Sequence, residues 1–515
     1  MSSRRGESQV NRRDILKLAA LLPLLKLELP HFAQSTNPQL ANQPNILILV
    51  FDTLSARHLP IYGYPRNTAP NLTRFAARST IYHAHYASGN FTSPATASIF
   101  TGTYPWSHRA LHMHGTMTNE FAARNFFRLI PDGVTKTVYS HNLLVTSLLH
   151  QFRVDLDQFM NTRELSLVDE QYSDRFFPSD SNVSFWSEGL ILRGNSTIPS
   201  SLFLSHLYRL IRFAYKSDLT KEYGQLFPRG VPNLNDIYFI LEDAVDWIMS
   251  ELARLPRPFL GYFHFLPPHE PYTTRSDFID LFLDDGYKPV EKPEHNFSEG
   301  NPNQFLNRQR REYDEYIAYT DAEFGRLLDY LERTGMLDNT YVILTSDHGE
   351  LFERGIRGHV TRTLYEPVIQ VPLLISQPAQ KIRRDIYSPT SCTDLAPTLL
   401  HLTGQPVPDW SEGSILPGFG GQEENMDRSI FAFEAKSSPK YGPVSIGTIS
   451  MRKRNYKLIH YFGYGKRQQA WEMYDLKEDP EELVDKYSET NPTAQELRSE
   501  LEGKLNQSNQ LYLKS

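Results

Sequence analysis

Residues 45–53, NILILVFDT, constrain this chain more than any other stretch. From Ile46 to Phe51 the run is apolar without alternation, and it stops abruptly at Asp52. A strand with one wet face would alternate. An unbroken run needs both faces covered, as in a parallel sheet with helices on either side. Two more runs have this character: PFLGYFHFLPPHEPY, ending in His264 and His269, and NTYVILTSDHGE, ending in Asp347 and His348. Ahead of the last, Ile317, Thr320, Phe324, Leu327, Leu328 and Leu331 fall at helical spacing, and Gly335 closes the helix. Helix then strand, repeated, predicts an α/β fold with a large, mostly parallel β-sheet flanked by helices.

At 515 residues, with 40% hydrophobic and 22% charged content, the chain has room for a large α/β domain and an appendage. A net charge of −7, with no Lys/Arg block beyond the N-terminus, argues against a nucleic-acid partner. Cys392 is the only cysteine, which excludes an intrachain disulfide or CxxC metal site and reads as a small core residue. At the N-terminus, Arg12 and Arg13 precede a short apolar run, residues 15–27, that Lys17 and Lys26 interrupt and Pro30 breaks. It is too short and too charged to remain as a transmembrane span in the mature chain, and it resembles a twin-arginine export signal. Residues 1–34 then read as signal and 35–44 as linker, which predicts a periplasmic or extracellular protein. A basic tail with an amphipathic helix stays open. Within residues 161–236, the basic amphipathic FLSHLYRLIRFAYKS reads as a helix packed on the body, with a membrane-surface helix as the alternative, and residues 281–307 read as a long polar loop. After Gly404 the composition turns loop-rich. SIFAFEA, VSIGTISMR and NYKLIHYF then predict an antiparallel sheet, and AQELRSELEGKLNQ a terminal helix. These divide the chain into a catalytic domain over residues 45–426 and a smaller C-terminal α+β subdomain over residues 427–515.

Open α/β sheets bind ligands beyond the carboxyl ends of their strands, where Asp52, His264, His269, Asp347 and His348 all stand. Carboxylates with histidine suit a divalent metal, and the mixed O/N donor set favours Zn²⁺ or Mn²⁺ over Ca²⁺ or Mg²⁺. Residues 89–102, GNFTSPATASIFTG, lack a strand period, and Pro94 suits a first helical turn. Thr92 then stands at a helix N-terminus, where an anion is favoured. Metal binding at its oxygen would make it a nucleophile for an anionic ester. The alternative, a hydroxyl that merely caps the helix, stays open here.

Together these stretches resemble the sulfatase family of the alkaline phosphatase superfamily, over roughly residues 45–486. PNILILVFDTL matches the opening strand and metal aspartate, TSPATASIFTGTYP the nucleophile motif, PFLGYFHFLPPHEPY the substrate-histidine strand and NTYVILTSDHGE the second metal pair. SCTDLAPTLLHLTGQPVPD and YKLIHYF with WEMYDLKEDPEELVD resemble the closing segments. The resemblance implies Asp52, Asp347 and His348 as metal ligands, and Thr92 as nucleophile and metal-bound oxygen. It sets His269 at the leaving ester or its anionic head with His264 close by, and His359 where relatives bind the transferred anion or assist a second metal. His141 and Asn142 stand near a Lys-x-His pair of many sulfatases. Departures are as informative. Sulfatases use C/S-x-P-S-R, whose first residue becomes formylglycine; here Thr92, Ser93, Pro94, Ala95 and Thr96 fill those places, so no formylglycine is expected. Thr53 replaces a second aspartate. This pattern looks like threonine-nucleophile phosphodiesterases and phosphoryl-group transferases. The expected substrate is a small-molecule, glycan- or lipid-linked anionic ester. A sulfatase working without formylglycine and an inactive, envelope-associated binding protein remain alternatives, and the oligomeric state is open.

Overall fold

The computed structural model describes residues 43–160, 162–167, 216–234, 237–465 and 470–513. The expected signal, nearly all of the linker and most of the 161–236 segment, with most of its amphipathic piece, lie outside the described residues. Among those described, eight strands form the main sheet: β1 (Asn45–Phe51), β2 (Thr80–Tyr82), β3 (Thr135–Ser140), β4 (Gln158–Met160), β5 (Phe259–Phe265), β6 (Thr340–Thr345), β7 (Leu373–Ser376) and β8 (Arg384–Ile386). Their order is β8-β2-β7-β6-β1-β5-β3-β4, and all neighbours pair in parallel except those of β7. The three continuous apolar runs are β1, β5 and β6, adjacent at the centre, where both faces are covered.

Helices α1 (Pro70–Ala76), α2 (Thr92–Thr101), α3 (Leu143–His150), α4 (Leu241–Leu252), α5 (Asn303–Arg333) and α6 (Leu395–Leu402) supply the two covering layers. Leu47, Leu49, Phe51, Phe263 and Phe265 face α1, α4 and α5. Ile48, Val50, Leu260 and Tyr262 face α2, α3 and α6. Alternation along each strand therefore sends Val50, Asp52, Tyr262 and His264 toward one side of the sheet. Helix α5 is longer than its apolar stripe suggests. It starts at Asn303, inside the expected loop, because Leu306, Arg310 and Tyr313 are also buried. It ends at Arg333, two residues before Gly335 turns left-handed at φ 69°.

The C-terminal part forms a four-stranded antiparallel sheet, β9 (Ile430–Glu434), β10 (Gly447–Lys453), β11 (Tyr456–Phe462) and β12 (Ala470–Asp475), with α7 (Pro492–Leu513). Phe433, Ile449, Met451 and Leu458 pack on α7 and on Tyr104, Trp106 and Leu111 of the main body. The opposite face, with Ile430, Ala432, Ile459 and Tyr461, packs on Leu351, Ile356, Leu364 and Val368. Buried Lys457 ties the two parts further, its Nζ lying 3.0 Å from Glu366 and 2.8 Å from Glu482. Cys392 is fully buried beside α2, and burial pushes its thiol up to about 11.

Helix α2 is buried on every side and ends at Gly102, whose φ of 66° suits glycine. His108 holds it through Ser98: the ring Nε2 lies 2.9 Å from Ser98 Oγ, while Nδ1 accepts from Ala110 N at 3.1 Å. Nδ1 is thus occupied as an acceptor, and burial lowers the His108 pKa to about 3. Since the unfolded chain binds this proton near pH 6.5, stability is complete above that pH and falls below it. Between pH 7 and pH 5, His108 alone is expected to cost about 2 kcal/mol of folding stability. Urea unfolding at the two pH values checks this: H108Q should show a smaller pH dependence, and an unchanged one would refute the assignment.

Candidate active site

Parallel pairing sets Val50 beside His264 on one flank and beside Thr345 on the other. Two residues past those positions the chain presents Asp52 and Asp347, so all three functional groups converge over the same sheet face. Asp52, His264 and Asp347 are fully buried, and a donor atom from each lies within 4.8 Å of the others. His264 Nε2 is 3.4 Å from Asp52 Oδ2 and 3.9 Å from Asp347 Oδ2. His348 Nε2 is 3.5 Å from Asp52 Oδ1 and 3.4 Å from Asp347 Oδ2.

Each group keeps one free donor atom turned inward. Asp347 Oδ1 accepts from Thr53 N (3.3 Å) and His348 N (3.0 Å), leaving Oδ2 without a partner. Asp52 Oδ2 accepts from Asn142 Nδ2 at 2.5 Å, leaving Oδ1 without one. His348 Nδ1 sits 3.1 Å from Gly349 O, which directs Nε2 at the carboxylates. Burial alone would raise the Asp52 carboxyl, but the imidazoles of His269, His264 and His348 hold it well below its usual range. Asp347 is pushed up, by burial and then by the Asp52 charge, and burial pushes His348 down. Unpartnered, fully buried carboxylate oxygens facing imidazole nitrogens fit a divalent cation. Donors about 2.0–2.1 Å from a tetrahedral ion lie roughly 3.4 Å apart, close to these separations.

Thr92 is the first residue of α2, follows Phe91 at the N-cap position, and makes no capping bond. Its Oγ1 instead accepts from Asn142 Nδ2 at 3.3 Å and lies 3.4 Å from His348 Nε2, with the residue only 2% exposed. The hydroxyl is therefore spent on the carboxylate–imidazole cluster and not on the helix. His359 adjoins from the opposite side, its ring 4.5 Å from His348 and 4.8 Å from His269. Burial opposes its charge, but Glu350, 3.2 Å from Nδ1, raises His359 to about 9. His269 Nδ1 contacts Glu270 O at 2.6 Å. All the residues expected from sequence thus gather at one end of the sheet, with His264 inside the carboxylate cluster.

His141 and Asn142 part company. His141 stacks on Phe239 with centroids 4.1 Å apart, and its Nδ1 accepts from Leu266 N, whereas Asn142 caps α3 and bridges Asp52 to Thr92. Asn142 stands just past β3, a strand whose threonines and lysine break the apolar pattern that marks the central strands, so only the family resemblance pointed to it.

Thr53 was legible only as a missing carboxylate. It adopts φ 63°, an outlier for a β-branched residue, costing about 1–2 kcal/mol. Tyr313 of α5 holds it there, donating to Thr53 O at 2.5 Å and accepting from Ser55 N at 3.0 Å. Ser346 adds a second staple, its Oγ accepting from Leu54 N and donating to His348 O. Removing the phenol oxygen leaves two buried backbone groups unpaired, so Y313F is expected to lose about 1–3 kcal/mol in urea unfolding. A loss below 0.5 kcal/mol, roughly that of an ordinary surface substitution, would show the loop is held by other contacts.

The fold and this cluster define a class, the α/β ester hydrolases of the alkaline phosphatase superfamily. The family profile described as "Sulfatase" matches residues 44–154 and 202–405, more than half the chain, and the protein belongs to the sulfatase family. A second profile, "N-sulphoglucosamine sulphohydrolase, C-terminal", matches residues 357–511. The chain is 26% identical to the choline-sulfatase of Rhizobium meliloti (strain 1021), over 86% of this chain and 82% of that one. It is 23% identical to the N-acetylglucosamine-6-O-sulfatase of Bacteroides thetaiotaomicron, over 90% and 86%. The phosphonate monoester hydrolase of Agrobacterium radiobacter superposes with a TM-score of 0.63 at 18% identity, covering 91% of this chain and 96% of that one, a likeness of fold. Among the described residues no helix is long and apolar enough to cross a membrane.

Proposed function

We propose that this sulfatase-family enzyme uses Thr92 as a covalent nucleophile on anionic esters, with phosphodiester or phosphonate-type esters, or phosphoryl transfer, as its chemistry. The observation that carries the reading is the Thr92 hydroxyl, which opens α2 without capping it and instead faces His348 and Asn142. Asp52, Asp347 and His348 would hold a divalent metal, which supplies charge to lower the hydroxyl pKa and to offset a non-bridging ester oxygen. Thr92 Oγ1, having lost its proton to solvent, attacks phosphorus in line as the bond to the departing alkoxide breaks. His359, paired with Glu350, and His269 beside it are placed to bind the anion and to return a proton to the departing oxygen. Water or an acceptor alcohol then displaces the threonine oxygen and frees the enzyme. Free N–H groups at the start of α2 add stabilisation for the anion.

Sulfate chemistry fits residue 92 less well. Its Cβ carries a methyl group, so oxidation would yield a ketone and not formylglycine, and no second hydroxyl is available to expel sulfate. Relatives named for sulfate esters support the competing reading, a sulfuric ester hydrolase without formylglycine. The Arg12–Arg13 segment supports export across the cytoplasmic membrane.

Parallel assays on aryl phosphodiester, aryl phosphonate and aryl sulfate separate these readings. Phosphorus esters are expected to turn over fastest, and T92A to lose at least about 10³-fold in kcat, the scale of removing a group that acts in the reacting complex. Intact-mass analysis of quenched reactions should show one phosphorus adduct in wild type, carrying the substituent left after aryloxide departs, and none in T92A. Turnover confined to aryl sulfate, or an active T92A, would overturn the proposal.

A further inference from the structure

Thr53 stands where the family resemblance calls for a second metal-binding aspartate, and its side chain cannot replace a carboxylate. Another donor faces the two carboxylates. His264 reaches the two carboxylates from β5, and its Nε2 is a fully buried nitrogen with no hydrogen-bond partner. Its other nitrogen is already committed: Nδ1 lies 2.9 Å from the Tyr262 hydroxyl, two residues back on the same strand face. Tyr262 is in turn fixed against α2 by Phe100, with ring centroids 4.9 Å apart. In the tautomer that donates Nδ1–H to the phenol oxygen, the Nε2 lone pair faces Asp52 and Asp347. A metal-binding histidine is normally oriented in this way, by a partner on its second nitrogen.

We infer that His264 is a direct metal ligand, replacing the oxygen lost at Thr53 with a nitrogen, and that Tyr262 sets its tautomer. This rests on the metal-dependent reading above and extends it from the presence of a metal to its coordination. The inward-facing donors become Asp52 Oδ1, Asp347 Oδ2, His348 Nε2 and His264 Nε2, two oxygens and two nitrogens. Such a set selects Zn²⁺ or a similar transition metal over Ca²⁺ and Mg²⁺, which demand more oxygen donors. His264 would accordingly act on the metal and not on the leaving group.

The test reads metal binding directly. Full-length protein is stripped with chelator, then titrated with Zn²⁺ and with Ca²⁺ against a fluorescent indicator, and Co²⁺ is substituted for its visible absorption. Wild type is expected to prefer Zn²⁺ strongly and to give Co²⁺ d–d bands of a mixed nitrogen and oxygen site that keeps a position open for Thr92 Oγ1 or the ester. H264Q, which offers an amide at similar reach, should lose on the order of 100-fold in Zn²⁺ affinity and weaken those bands. Y262F, which keeps the ligand but frees its tautomer, should lose about tenfold. Circular dichroism of the stripped proteins keeps folding defects apart, and Y262F provides the decisive comparison if H264Q does not fold. A wild type that binds Zn²⁺ while H264Q or Y262F binds it equally well, with unchanged Co²⁺ bands, overturns this assignment alone. A folded wild type that retains no divalent ion overturns the metal-dependent reading with it.

Discussion

Two carboxylates, Asp52 and Asp347, lie fully buried side by side, with the imidazoles of His264 and His348 against them. Such a pair is costly to exclude from water unless something offsets the charge. The surrounding arrangement can be read as a response to that cost. One oxygen of each carboxylate is bonded by protein, by Asn142 or by backbone amides, and the other is left facing inward. Thr92, the first residue of α2, presents its hydroxyl to the same centre.

The supports of this cluster come from far along the chain. Thr53 can hold its left-handed turn because Tyr313, on α5, bonds to both sides of it. The strand-end loops of β1 and β6 are stitched by Ser346 and by Thr53 N, so Asp52 and Asp347 cannot separate without breaking several bonds. The C-terminal sheet takes part as well. Residues 351–369, which carry His359, pack against β9 and β11, and Lys436 Nζ donates to Val360 O and Thr361 O. From the other side Asn90, two residues before Thr92, donates to His359 O. The position of His359 therefore depends jointly on the loop that precedes Thr92 and on a separate sheet.

Much of this was legible because the sheet centre imposes a strong pattern. Continuous apolar runs mark β1, β5 and β6, and each polar residue that ends such a run lies at the carboxyl edge where ligands bind. Asn142 was legible only through the family resemblance, because β3 mixes threonine and lysine with its apolar residues, and His141 beside it turns back to stack on Phe239. The start of α5 escaped because Tyr313 and Arg310 are buried polar-tipped side chains, which a purely apolar stripe does not count.

The sequence by itself determined the fold class, the strand-end placement of Asp52, Asp347 and His348, and a threonine where the family oxidises cysteine or serine. Those features follow from local periodicity and residue identity, which need no knowledge of what packs on what. Only the tertiary structure decided that the Thr92 hydroxyl serves the cluster and not a helix cap, and that His264 lies between the carboxylates. It alone separated Asn142 from His141 and gave Thr53 its strained turn. The physical reason is that these outcomes depend on strand register and on which side of a neighbouring strand a side chain emerges. Hydrogen bonds between residues hundreds of positions apart then complete what no short window of sequence contains.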